Sequence, residues 1–182
     1  MSNLYSTQNN LLLDTLIEFY QKDGNIDKML SIINGQSKIS LRLVDWFVTN
    51  YSKKHFVIYT LNETRFKVYD DYKLKLRAYS KKRFDPFCRW DRITIPYKNE
   101  SRIQTTIGQL NFFKWALENK IVEYIGDHYD DIETDMNARN SSSKKNKTDA
   151  SDNKTRKKRE ELSISATKSI KKEQVEIVVK FD

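Results

Sequence analysis

A single cysteine, two prolines and four glycines among 182 residues set the first limits on this chain. One cysteine, Cys88, cannot close an internal disulfide, which excludes a disulfide-stapled secreted module. Cys88, His55 and His128 stand far apart and give no zinc-site spacing. Gly24, Gly35, Gly108 and Gly126 cannot be written as a dinucleotide fingerprint or a P-loop. No Gly-x-Ser-x-Gly elbow occurs. No run approaches the ~20 apolar residues that a membrane span needs. Met1–Ser6 lacks the basic and then apolar pattern of a signal peptide. The expectation is an intracellular protein with no cofactor and no membrane contact.

What is present is charge and rings. Charged residues make up 32% of the chain, above the usual quarter or so. Hydrophobic residues reach only 38%, yet Tyr 10, Phe 9 and Trp 3 supply bulk for a core. The net charge of +8 is unevenly spread. Residues 53–102 hold 14 basic and 6 acidic side chains, whereas residues 103–140 hold 3 and 7. Residues 141–182 are basic again, with 12 against 7.

Hydrophobic periodicity gives the elements. Leu11, Leu12, Leu16, Ile17 and Tyr20 predict a helix near 9–21. Ile26 to Ile33 predict a second, closed by Gly35 at a position that favours positive φ. Ser37 or Ser40 is the candidate cap of a third, near 39–52. That helix is apolar on most of its circumference and is expected at the centre of the core. His55–Thr60 reads as a strand, 61–65 as a turn, and 66–81 as a helix with Phe66, Tyr69, Tyr72, Leu76 and Tyr79 on one face. Pro86 breaks the pattern. Arg92–Tyr97 and Arg102–Ile107 read as paired strands. Thr106-x-x-Gln109 has the capping-box form and opens a helix expected from 107 to about 126. Residues 139–155 are almost without apolar side chains and read as a disordered linker. Val175–Phe181 is a strong β run that must join the domain's own sheet or another chain's.

The segment 72–92 carries the most chemistry. Lys73, Lys75, Arg77, Lys81, Lys82, Arg83, Arg89 and Arg92 alternate with Tyr72, Tyr79, Phe84, Phe87 and Trp90. Cations neutralise phosphates and release counterions, and ring faces stack on bases. The competing reading makes Tyr72 and Tyr79 core-facing, the other rings loop anchors and the cations a solvated face. Lys157, Lys158 and Arg159, within the basic run 154–159, read as a second, mobile contact or as a solvated helix start.

Catalytic signals are sparse. Asp127, Asp130, Asp131, Glu133 and Asp135 are an acidic cluster of the type that holds Mg²⁺ or that is simply solvated. Cys88 beside Arg89 reads as a buried apolar thiol in preference to a nucleophile, because no histidine is near it in sequence. A helix–turn–helix over 25–52 is disfavoured by its apolar second helix.

Three blocks carry a resemblance: Leu43–Lys54; Phe66–Lys73 with Leu76–Arg89; and Thr105–Ala116. The tail Arg156–Ser163 through Phe181–Asp182 adds to them. Together they resemble an uncharacterised protein family of nucleocytoplasmic large DNA viruses, the giant viruses, over most of residues 39–182 outside the linker. The resemblance implies a setting, namely the viral factory in the host cytoplasm, the virion or the host nucleus. It carries no catalytic residue across.

The expected fold is a single α+β domain, mainly helical with a small mixed or antiparallel sheet, over residues 1–138. The linker 139–155 and a basic C-terminal segment 156–182, helix then strand, follow. The expected function is non-enzymatic binding of DNA or RNA phosphates through Lys73, Lys75, Arg77, Lys81, Lys82, Arg83, Arg89 and Arg92. Trp90 or Phe87 would stack, and Lys157, Lys158 and Arg159 would assist. Two rivals remain: a virion assembly protein that adds Val175–Phe181 to a viral partner's sheet, and a metal-dependent enzyme.

Overall fold

A computed structural model describes residues 2–22, 24–98, 101–145 and 171–173. Lys157, Lys158, Arg159 and the run Val175–Phe181 lie outside the described residues. Helix α1 (Ser2–Gln21) and α2 (Asn25–Ile33) open the chain. Gly35 ends the second with φ 70°, a conformation that costs glycine little. Ser40 caps α3 (Leu41–Trp46), its Oγ accepting from Leu43 N at 3.2 Å. The helical path then widens into a π-turn, Phe47–Tyr51, and closes with α4 (Ser52–Lys54). Leu43, Val44, Phe47 and Val48 are at most 1% exposed, so this path is central to the core as its apolar circumference dictates.

Two small antiparallel sheets accompany the helices. Strands β1 (Ile58–Leu61) and β2 (Thr64–Lys67) form a hairpin whose loop, Asn62-Glu63, has positive φ at both residues. That is the two-residue turn whose twist matches paired strands. The expectation of a plain turn over 61–65 therefore missed the second strand. Helix α5 (Val68–Arg83) follows and is broken at Ser80, where φ is 60° and ψ 166°. Strands β3 (Arg92–Pro96) and β4 (Arg102–Thr106) pair antiparallel. The short β5 (Lys171–Glu173) lies on the other side of β4, antiparallel to it.

Helix α6 (Ile107–Glu118) starts where the sequence indicates, with Thr106 Oγ1 accepting from Gln109 N at 3.2 Å. It does not run to 126. Lys120 adopts φ 53°, and α7 (Ile121–Asp127) begins after it. Tyr59 OH donates to the Asn119 carbonyl at 2.5 Å and satisfies an acceptor freed by the break. Helix α8 (Tyr129–Lys145) continues through the first residues read as linker, so the domain boundary at 138 falls inside a helix. The core gathers Leu16, Met29, Phe47, Phe84, Phe112, Phe113, Ile121 and Ile132 from most of these elements. Each such burial is worth roughly 1.5–3 kcal/mol.

Candidate nucleic-acid interface

The loop between α5 and β3 holds the rings and cations that the sequence singles out, and buried polar groups of α6 and β4 fix it. Gln109 Nε2 donates to Pro86 O at 3.1 Å, and Asn111 Nδ2 to Arg83 O at 2.8 Å. Thr106 Oγ1 donates to Cys88 O at 3.4 Å, while Thr105 Oγ1 donates to Gln109 Oε1 at 3.2 Å. Within the loop, Asp85 Oδ1 accepts from Phe87 N at 2.8 Å. Thr105, Thr106, Gln109 and Asn111 are all at most 5% exposed. Such groups are tolerated inside because the loop's backbone partners them. The Gln109 side chain therefore reaches to the loop from the first turn of α6.

The loop also lies very close to α6. A Cβ on Gly108 would stand 2.9 Å from both Lys82 O and Cys88 Cβ. Only glycine admits that approach. Cys88 is 3% exposed, and its thiol donates to Lys82 O at 3.5 Å, the geometry of a structural cysteine.

The rings divide. Phe84 is 1% exposed and packs on Tyr72, Tyr79, Phe112 and Trp115 at 5.5–6.2 Å between centroids. Phe87 is half-buried against the same core. Tyr72, Tyr79, Phe84 and Phe87 are thus anchors. Trp90 differs, with 73% of its surface exposed.

The cations divide as well. Lys73 and Arg77, one helical turn apart on α5, are both exposed. Lys75 lies on the opposite side, where it lines a polar recess with Asp71, Glu118 and Asn119. Beyond the Ser80 break, Lys81 lies close enough to Asp45 and Asp85 to favour their charged forms. Lys82 and Arg83 turn instead to a cleft of about 280 Å³ that they line with Asn9, Trp90, Asp91 and Ile107. Arg89 is exposed, and Arg92 Nη1 donates to Gln104 Oε1 at 3.1 Å across the β3–β4 pair. Among the described residues, none of these eight cations takes part in an ion pair within 4 Å.

Sequence reasoning missed two features. Asn9 joins the cleft from α1, some seventy residues away in sequence, and no local pattern signals that. Asp45 and Asp85 approach each other across α3 and the loop. Burial, and then the Asp85 charge, push the Asp45 carboxyl up to about 6 against Lys81. Burial likewise raises Asp85, opposed by the Phe87 amide and Lys81.

The acidic run 127–135 is dispersed onto separate partners. Asp135 accepts from Lys54 Nζ and, at 3.1 Å, from Trp46 Nε1. Glu133 accepts from Tyr129 OH at 2.8 Å. Among the described residues no group of three or more His, Cys, Asp or Glu side chains is placed to hold a metal. His55 stacks on Tyr51, and His128 on Tyr124, at 4.2 and 4.1 Å between centroids. No helix among the described residues is long and apolar enough to cross a membrane.

Comparison with known proteins supplies relatives but no activity. The model of a family of unknown function, DUF7197, matches residues 2–168. An uncharacterised protein, L507, of Acanthamoeba polyphaga mimivirus is 42% identical over 165 residues. That match covers 81% of this chain and 62% of the mimivirus protein, so the chain spans about three-fifths of that relative's length. No solved structure matches. The giant-virus resemblance read in the three sequence blocks is therefore confirmed, and this chain belongs to the DUF7197 family of viral proteins.

Proposed function

We propose that this chain is a non-enzymatic nucleic-acid-associated viral protein that holds phosphates with the cations of α5 and the loop after it. The observation that carries the reading is eight cations within residues 73–92, none ion-paired among the described residues, around an exposed Trp90. A charged side chain that folding does not pair is free to replace the counterions of a polyphosphate. Lys73, Arg77, Lys82, Arg83, Arg89 and Arg92 form the working set. Lys75 and Lys81 contribute less, since each stands beside carboxylates. Lys157, Lys158 and Arg159 would add a tethered contact in the tail. The setting would be the viral factory or the virion.

Salt tests this directly. About four to six phosphate contacts give a log–log slope of roughly −4 to −5 on duplex DNA, or a loss of several hundred-fold between about 50 and 200 mM salt. Fluorescence anisotropy with a labelled duplex or single strand measures it. An affinity that stays flat across that range overturns the reading.

A further inference from the structure

The cleft formed by Asn9, Lys82, Arg83, Trp90, Asp91 and Ile107 has a composition that phosphate binding alone does not explain. Of the three tryptophans, Trp115 is 4% exposed and donates to Asp71 at 2.6 Å, and Trp46 is half-buried and donates to Asp135. Trp90 alone presents its ring to solvent, at the edge of this cleft. An exposed indole adds nothing to backbone neutralisation, but it is the best platform for a planar ring. Asn9 lines the cleft, and its Oδ1 is buried with no hydrogen-bond partner among the described residues. A buried acceptor without a partner is a group that a ligand's donor can satisfy. The Asp91 carboxylate is a second acceptor in the same space. Lys82 and Arg83 bring two positive charges to it. The cleft, about 280 Å³, falls just below the range of small-ligand sites, roughly 300–1,000 Å³, and suits one base better than a large cofactor.

A stacking face, open acceptors and paired cations are three complementary parts of one ligand. We propose that the cleft receives a single unpaired nucleotide, its base on the Trp90 indole, its exocyclic amine toward Asn9 and Asp91, and its phosphate toward Lys82 and Arg83. The inference rests on the phosphate reading above and sharpens it: the preferred substrate is single-stranded. In a duplex each base face is covered by its neighbours, and the Trp90 platform has nothing to stack on. A base with an exocyclic amine (cytosine, adenine or guanine) can donate to the two acceptors, whereas thymine has no amine and presents a methyl group and carbonyls.

The test uses the full chain, 12-nucleotide single strands and a duplex of equal length at one salt concentration, with tryptophan emission and anisotropy as readouts. The expected result is quenching by single strands and at least ten-fold tighter binding than to duplex. Trp90→Ala should weaken single-strand binding roughly ten- to hundred-fold, leave duplex binding and the salt slope unchanged, and be rescued largely by Trp90→Phe. Because Trp90 is a surface side chain, an unchanged melting temperature verifies that the variant is folded. Duplex binding as tight as single-strand binding, with Trp90→Ala neutral, overturns the cleft while the phosphate reading stands. Titration with cytidine and thymidine monophosphates separates the two ideas further. Quenching by cytidine monophosphate without any oligonucleotide binding would retain the cleft and remove the backbone reading. Absence of quenching by oligonucleotide and mononucleotide alike overturns the cleft. Equal quenching by the two mononucleotides overturns the amine preference.

Discussion

Asp45 is the residue at which the fold and the charge pattern conflict most openly. It sits on α3 at the edge of the core, and burial together with Asp85 lifts its carboxyl to about 6. An unfolded chain titrates aspartate near pH 4, so between about pH 4 and 6 the folded state binds more protons. Stability contributed by the protonated form is therefore present at low pH and lost as the pH rises through 6. Asp85 shifts in the same direction and adds to the effect. Asp45→Asn removes the charge and should stabilise the protein at pH 7 by on the order of 1–3 kcal/mol, with little gain at pH 4. Thermal unfolding at the two pH values measures this. A destabilised variant at pH 7 would show instead that Lys81 more than compensates the buried charge.

At the scale of elements, the loop 84–91 behaves as part of α6 and not as a free connection. Gln109, Asn111, Thr105 and Thr106 are buried polar side chains that hold the loop or one another, and Gly108 lets it approach within van der Waals distance. Gly108→Ala must push Lys82 O and Cys88 outward, at a cost of roughly 1–3 kcal/mol by overpacking. The same displacement moves Lys82, Arg83 and Trp90, which flank the contact. The expected outcome is a melting temperature lowered by several degrees and altered Trp90 emission. An unchanged melting temperature would mean that the loop moves freely on the helix. Ser80 acts at this scale too. Its conformation, φ 60° and ψ 166°, is nearly reserved for glycine and costs about 1–3 kcal/mol elsewhere in proteins. The break separates the Lys73/Arg77 row from the Lys81–Arg83 turn, so one helix serves two surfaces.

Across the whole molecule, the net charge of +8 is a poor guide to where a polyanion would lie, and the fold gives a better one. Lys73 and Arg77 share an exposed row, while Lys75 is turned to Asp71 and Glu118. Reversing both row cations in Lys73→Glu/Arg77→Glu should weaken nucleic-acid binding at least ten-fold and flatten the salt slope by about two contacts' worth. Lys75→Glu, the same change in net charge per residue, should weaken binding far less. Anisotropy at matched salt distinguishes the two. Equal losses would mean that binding follows total charge and not position.

Composition and periodicity determined the helical character, the buried third helix, the Gly35 stop, the Thr106 cap and the β3–β4 pair, and narrowed the cap of the third helix to Ser37 or Ser40. Each depends on contacts within a few residues, or on a repeat that burial on one side imposes. The family resemblance, too, was legible in contiguous blocks. The division of the basic segment was not. Which rings anchor and which stay exposed, which cations stand free and which face Asp45 or Glu118, depend on residues distant in sequence that meet only on folding. Lys120 and Asn62-Glu63 carry no glycine to announce their positive φ, and the Tyr59 hydroxyl that supports the break after α6 comes from a different sheet. Asn9 enters the cleft from the first helix for the same reason. The sequence by itself determined which chemistry the molecule carries. Only the tertiary structure decided which of those side chains share a surface, because that selection is made by long-range packing.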